Sequence, residues 1–311
     1  MAVIDMIVLK TEQKILMKNL LLIADIKHKY RPKFPYTNEF VATLVTGQRV
    51  YFHTNNKVKA PYTVIDFNPN GFSSFRASEL LTNAVVDDFD EPKILREHLN
   101  IDLVGTEYNT VKAEIYTPRT RRGMRVRGFS RTDGRYRLTT SLEFGSVTES
   151  LYLGSPTRTE VVVYDAHHWH QSKCPENPTT RIELRLNESK IGVRFSEASQ
   201  YWKIRDPFRR IKFYGFDVSA AKPSQRKDIL LFQILSNVCG QKEAEAQLRR
   251  IDGSNFYRMK KVIEKYRIST NYDLGGKFQK RLDKFLSAPL SVGESKMFNR
   301  VPGLIRKRGL K

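Results

Sequence analysis

Cysteine is nearly missing from this chain: Cys174 and Cys239 are the only two in 311 residues. Two cysteines without a CxxC spacing argue against a disulfide framework and against a zinc knuckle, and they suit a reducing compartment. Negative charge is also scarce, with 33 Asp and Glu against 54 Lys and Arg. No run of 18 apolar residues occurs, so no segment is expected to span a bilayer. Asp5 interrupts the first apolar stretch and no small-residue cleavage site follows, which predicts no signal peptide. There is no P-loop, no dinucleotide glycine pattern and no HExxH, so ATPase, oxidoreductase and zincin chemistries have no support. Internal repeats and low-complexity segments are lacking too. A cytoplasmic protein is expected.

What is present is positive charge on a chain able to fold. Hydrophobic residues make up 40% and aromatics 11%, enough for a core. The net charge of +21 repels itself unless a polyanion is near, so nucleic acid is the leading partner. An anionic membrane surface ranks second, because no long basic amphipathic helix is seen.

Periodicity predicts a strand at Val3–Leu9 and a helix over residues 12–26. Phe40–Val45 and Arg49–Phe52 flank Thr46-Gly47-Gln48 as a hairpin. Val64–Phe67 is a strand stopped by Asn68-Pro-Asn-Gly71. Glu91–Leu99 looks helical, with Pro92 in its first turn. Residues 101–116 look strand-like. Further strands are expected at Tyr136–Phe144, Glu149–Leu153, Glu160–Tyr164 and Thr180–Leu186. After Pro223 three helices are predicted, the third capped by Ser254 and running to about Tyr266. The expected fold is α+β, a central antiparallel sheet with flanking helices and a C-terminal helical subdomain. Its parts are a core over 1–222, a helical subdomain over 223–290 resembling a helix-turn-helix, and a basic tail over 291–311.

Eight arginines fall within residues 119–137: Arg119, Arg121, Arg122, Arg125, Arg127, Arg131, Arg135 and Arg137. Only Asp133 opposes them, and Gly123, Gly128 and Gly134 break the run into a loop or hairpin. Such a stretch suits contact with a nucleic-acid backbone. Arg249, Arg250, Arg258, Lys260 and Lys261 on the later helices add candidate contacts. Asp87-Asp-Phe-Asp-Glu91 is read as a loop and helix start.

The residues with chemistry lie on two strands. Glu160-Val-Val-Val-Tyr164 ends in a phenol, and Asp165-Ala-His-His-Trp-His170 follows at once. A phenol with its ordinary pKa near 10 needs a base, a cation or a metal before it attacks phosphorus. Asp165, His167, His168 and His170 are candidate ligands or bases. In Thr180-Arg-Ile-Glu-Leu-Arg-Leu186, alternation sends Arg181, Glu183 and Arg185 to one face. Arg181 and Arg185 there are candidate phosphate clamps. Ile182, Leu184 and Leu186 go to the core. The polar face is either solvated or a site.

These motifs, in this order, resemble the tyrosine-dependent rolling-circle replication initiators: the Rep_trans plasmid initiators and, more distantly, the filamentous-phage gene II proteins. Those carry a Tyr-Phe-Gly-Ser/Arg segment, a strand ending in Tyr-Asn/Asp-Lys, and then Arg-x-Glu-x-x-Leu. Here Leu151-Tyr-Leu-Gly-Ser155, Val163-Tyr-Asp165 and Thr180–Leu186 stand at similar spacing. Upstream, Val64-Ile-Asp-Phe-Asn-Pro-Asn70 is similar to their Arg-Ile-Glu-Phe-Asn-Pro-Asn. The resemblance runs over roughly residues 60–270 through short motifs. It implies that Tyr164 attacks one DNA strand and stays joined to the 5′ phosphate. It also implies that Mg²⁺ or Mn²⁺ is held by Glu183 and by Glu114 of Lys112-Ala-Glu114, with His168 and His170 as substitute ligands. The partner it implies is an origin-like DNA site, partly single-stranded or supercoiled, in a bacterial cell carrying a mobile element. A host helicase and a homodimer are further partners of that kind.

The chain departs from this pattern at Ala166, where the family has lysine, and in the histidines that follow. A DNA-binding protein that no longer cuts is therefore the first alternative. A second uses His168-Trp-His170 as a His-hydrophobic-His metal motif, with Tyr257 of Tyr257-Arg-Met-Lys260 as nucleophile. Against it, Tyr257 is expected to be a packing residue among Phe256, Met259, Ile263 and Tyr266.

Overall fold

The computed structural model describes residues 3–12, 14–29, 32–86, 91–116, 125–132, 135–139, 147–154, 159–166, 178–187, 192–239 and 241–304. In chain order the first elements are β1 (Ile4–Thr11), α1 (Met17–Ile23), β2 (Ala24–His28), β3 (Asn38–Leu44), β4 (Arg49–Asn55), β5 (Tyr62–Phe67), α2 (Phe75–Val85) and β6 (Lys93–Val104). Then come α3 (Tyr108–Glu114), β7 (Ile115–Tyr116), β8 (Arg125–Thr132), β9 (Arg135–Thr139), β10 (Val147–Gly154), β11 (Thr159–Asp165) and β12 (Thr179–Asn187). The chain continues with α4 (Ala198–Ile204), β13 (Lys212–Phe216), α5 (Pro223–Cys239), α6 (Gln241–Ile251), α7 (Gly253–Lys265), β14 (Arg267–Thr270), α8 (Leu274–Ser287) and α9 (Val292–Phe298). The fold is α+β, as expected. Among the described residues no helix is long and apolar enough to cross a membrane.

Two compact units divide the chain. The first comprises Met1–Asn100, Leu186–Asp206 and Lys277–Lys311, the second Ile101–Arg185 and Pro207–Gly276. Helices α5 to α7 fall in the second unit and most of α8 in the first.

In the first unit the strand order is β2-β3-β4-β5-β1-β6. Each neighbouring pair in this order is antiparallel, and the hairpin at Thr46-Gly47-Gln48 forms as expected, with Gly47 at φ +91° where a side chain would be strained. One face of this sheet buries Ile7, Leu9, Ala42, Leu44, Val50, Phe52, Ile65 and Phe67. Phe75 of α2 extends the core through edge contacts with Trp202, Phe195 and Phe285, at centroid distances of 5.2, 5.3 and 6.2 Å. Burying each such ring is worth roughly 1.5–3 kcal/mol. Within the stretch read as a basic tail, α9 opens with a capping box between Ser291 and Glu294, and Glu294 also accepts the Ser73 N–H at 2.8 Å.

Several local expectations are corrected. Glu91–Leu99 is not helical: Lys93–Val104 is strand β6, paired with β1 from Lys10↔Lys93 to Ile4↔Leu99. Sheet pairing there overrides a short apolar pattern that fits either period. Of residues 101–116 only Ile101–Val104 and Ile115–Tyr116 are strand; α3 lies between them with Val111 buried, and Ile115 pairs with Phe213 as part of β7. The expected helix over 12–26 is shorter, because Ala24–His28 pairs with β3 as β2. Asp252, not Ser254, caps α7, its carboxylate accepting the Asn255 N–H at 3.1 Å.

In the second unit β12-β11-β10-β8-β9 follow one another, joined by the end of β6 from Ile101 on. Leu151, Leu153, Val161, Val163, Ile182 and Leu184 are buried on one face. A separate sheet has the order β14-β13-β7. Helices α5, α6 and α7 pack around Phe232, Ala244, Leu248, Phe256, Met259 and Ile263.

Candidate active site

The strand carrying Tyr164 is placed by its neighbour. β10 pairs antiparallel with β11 in the register Ser150↔Tyr164, Tyr152↔Val162 and Gly154↔Glu160. Residues two apart share a face, so Glu160, Val162 and Tyr164 lie on one side with Ser150 and Tyr152. Val161 and Val163 lie on the other, in the core. Tyr164 is mostly buried, with 9% of its surface exposed.

Arg185 of β12 ties this face together. Its Nε and Nη2 donate to the two carboxylate oxygens of Glu183 at 2.9 and 3.4 Å, and its Nη1 donates to Glu160 at 3.4 Å. Its guanidinium carbon lies 5.9 Å from the Tyr152 ring centroid, in cation–π range. Burial works against the Arg185 cation, but the bond and charge of Glu183, with Glu160 and Tyr152, outweigh it and hold its pKa above the ordinary value.

Arg181 has a different setting. Its Nε donates to Asp102 Oδ1 at 2.6 Å and its Nη2 to Oδ2 at 3.2 Å, and both side chains are buried. The polar face of β12 is therefore neither solvated nor open. Arg181 and Glu183 are buried in ion pairs, and only Arg185 is partly exposed. Three carboxylates meet two guanidiniums here, so these arginines do not by themselves make a phosphate-attracting surface.

Excess positive charge comes from the next strand. β8 pairs with β10 in the register Ser150↔Arg127 and Tyr152↔Arg125. Positions Arg127, Ser150 and Tyr164 therefore stand in one row across β8, β10 and β11. At one strand spacing per step, the backbones of 127 and 164 are about 10 Å apart. The expected arginine hairpin forms from β8 and β9, with Thr132↔Arg135 closing it. It carries Arg125, Arg127, Arg131, Arg135 and Arg137. Arg119, Arg121 and Arg122 lie outside the described residues.

The other expected site residues are dispersed. Glu114 ends α3 and accepts a hydrogen bond from the Tyr272 hydroxyl at 2.6 Å. Burial and that carboxylate push the Tyr272 phenol up. His168 and His170 lie outside the described residues. Among the described residues no three His, Cys, Asp or Glu side chains converge to hold a metal. Glu183 and Glu160 are both engaged by Arg185, so these carboxylates do not fit a metal centre as they stand. On α7, Lys261 is exposed and Lys260 is paired with Glu264 at 3.8 Å. Tyr257, expected to pack, is instead 64% exposed.

Sequence reasoning missed Asp102, Glu160 and Tyr152. A carboxylate inside the apolar run Asn100-Ile-Asp-Leu103 was the available signal for Asp102, since a buried acid needs a partner. Position 166 also becomes intelligible. Ala166 is fully buried, so a lysine there would carry an ammonium into the core.

No protein-family model and no curated protein matches the chain. The solved structure of a rolling circle replication initiator protein from Geobacillus stearothermophilus is similar to it, at 15% identity and a TM-score of 0.43, over 72% of this chain and 89% of that one. A likeness of that size leaves the functional reading to the residues themselves.

Proposed function

We propose that this chain is a DNA-nicking endonuclease of the replication-initiator type, acting inside a cell that carries a mobile element and cutting one strand through Tyr164. The observation that carries the reading is the row Arg127–Ser150–Tyr164, beside the Arg185–Glu183–Glu160 cluster. It sets a nucleophile of the right type next to a strand of arginines on a strongly basic chain.

In the reaction, Tyr164 Oη attacks phosphorus and the bond from phosphorus to the 3′ oxygen breaks. The 5′ phosphate stays on the tyrosine, and the 3′ oxygen leaves and takes up a proton. The phenol proton passes to a base, for which Glu160 and Glu183 are the carboxylates on this face. Arg185 turns from those carboxylates toward the phosphoryl oxygens as charge builds there. Arg181, held by Asp102, positions β12 rather than touching phosphate. The described carboxylates do not make a site for Mg²⁺ or Mn²⁺.

A second reading, a DNA-binding protein that does not cut, is favoured by the burial of Tyr164 and by Ala166 where the resembled family has lysine. Supercoiled plasmids carrying candidate origins, incubated with and without Mn²⁺, separate the two. Open circles should form, should vanish in Tyr164→Phe and should persist in Tyr257→Phe. Conversion that survives in Tyr164→Phe would sink the tyrosine mechanism. Tight, salt-sensitive binding with no conversion would favour the second reading.

A further inference from the structure

The first unit presents a sheet face that the nicking reading does not use. Along β1, β3 and β4 burial largely alternates, and on the side opposite the core Val8, Lys10, Val41, Tyr51, His53, Tyr62 and Asp66 are half-exposed while Glu39 and Val64 are buried. The registers bring this side together. Val41↔Tyr51, Tyr51↔Asp66, Val8↔Asp66 and Val8↔Arg96 make one row, and Glu39↔His53, His53↔Val64 and Lys10↔Val64 make the next. Tyr62 stands two residues before Val64 on the same side.

Rings and cations alternate over this surface. The Tyr36 ring lies 4.9 Å from that of His53, centroid to centroid, and Tyr51 is the next residue on the same side of β4. Lys10 Nζ sits 4.7 Å above the Tyr62 ring, and Arg96 is exposed at the end of its row. Two carboxylates share the face of these four strands and each is answered, while a third, Asp25 of β2 opposite Thr43, is exposed at the sheet edge. Glu39 is buried, bonds His53 Nδ1 at 2.6 Å and lies 3.5 Å from Lys29 Nζ. Burial works against the Glu39 charge, yet the Lys33 N–H, His53 and Lys29 hold its carboxyl below the usual range. Burial pushes Asp66 up, against the pull of His53, Arg96 and His98.

We infer that this open face is a binding platform for single-stranded DNA, with Tyr51, Tyr62 and the Tyr36–His53 pair stacking unpaired bases and Lys10 and Arg96 holding phosphates. A flat surface of rings offers little to a duplex, whose bases already stack on each other, whereas unpaired bases find partners on it. Cations interleaved with the rings can meet the phosphates of the backbone that accompanies those bases. A protein partner fits less well, because the face lacks a contiguous apolar centre.

The test is fluorescence anisotropy of a labelled oligothymidylate and of a labelled duplex, titrated with the full chain. Tyr51→Ala and Arg96→Ala should each weaken oligothymidylate binding, the first by roughly tenfold or more. Tyr51→Phe, which keeps the ring, should bind as the parent does, and duplex affinity should change much less in all three. Parent-like oligothymidylate affinity in Tyr51→Ala and Arg96→Ala overturns the platform. So does an equal loss for single strand and duplex, and so does a Tyr51→Phe variant as weak as Tyr51→Ala. The measurement does not depend on cutting: a protein that never nicks still either binds the oligonucleotide through Tyr51 or does not.

Discussion

Arg181 and Asp102 form a two-point ion pair inside the second unit, at 2.6 and 3.2 Å, with neither side chain reaching far into solvent. They are 79 positions apart in the chain, so the pair fastens β12 to the end of β6. A buried pair adds little over an apolar alternative, but a buried charge deprived of its partner is costly. Asp102→Ala should therefore destabilise the protein by about 3–5 kcal/mol. Asp102→Asn, which keeps acceptor and shape, should cost less, and Arg181→Lys should not substitute for the planar fork. Denaturant midpoints read all three. If Asp102→Ala melts like the parent, the pair has no structural role.

Gly154 is the glycine of the segment that, in sequence, resembles the initiator motif before the tyrosine. Its φ is +104°, and a Cβ added there would stand 2.3 Å from the Thr159 carbonyl oxygen. The glycine is thus required by the backbone, whatever its part in chemistry. Gly154 pairs with Glu160, so any shift moves the strand that carries Tyr164. Gly154→Ala should cost on the order of 2 kcal/mol or more and depress nicking with it. An alanine variant of full stability would contradict the close approach of the two strands.

How much of this was legible depends on which interaction decides each element. The hairpin around Gly47 and the apolar side of β12 could be read directly, because local turn chemistry and period-2 alternation specify them. The polar side of β12 was read correctly as one face but not as buried, since alternation says which residues share a side and not what covers them. Asp102, which decides the fate of Arg181, lies on a distant strand. The part of β6 up to Leu99 reads as helix in sequence because its apolar spacing fits both periods, which pairing with β1 resolves, whereas its end from Ile101 reads as strand. Tyr257 sits at helical spacing among true core residues, yet it faces outward, one position away from Phe256 on α7.

The arginine hairpin yields a prediction that needs only its place in the sheet. Arg125 and Arg127 stand opposite Tyr152 and Ser150, in the neighbouring rows that lead to Val162 and Tyr164. If they meet DNA phosphates, each should contribute about 0.9 to the slope of log affinity against log salt on duplex DNA, and about 0.7 on single strands. Arg125→Gln with Arg127→Gln should flatten that slope by nearly two on a duplex and weaken binding similarly for all sequences. A slope equal to the parent's would remove these positions from the interface.

Glu97 sets a pH dependence in the first unit. It stands on β6 with no exposed surface, and its Oε2 accepts the Trp202 indole N–H at 2.7 Å. Its Oε1 has no hydrogen-bond partner among the described residues. Burial raises its pKa from the ordinary 4.5 to about 7, against the smaller opposing pull of Trp202 and Arg205. The unfolded chain therefore gives up this proton at lower pH than the folded one. The stability that goes with the protonated acid is complete below about pH 4, declines as pH rises toward 7 and is lost above it, on the order of 3 kcal/mol in all. Glu97→Gln keeps an acceptor for Trp202 and cannot ionise. It should melt close to the parent at pH 5, where Glu97 is protonated in the fold, and well above it at pH 8. Thermal melts of both proteins at the two pH values decide the matter. A difference that stays constant between pH 5 and pH 8 would mean that Glu97 does not titrate in this window, and that its effect on stability lies in packing against Trp202 alone.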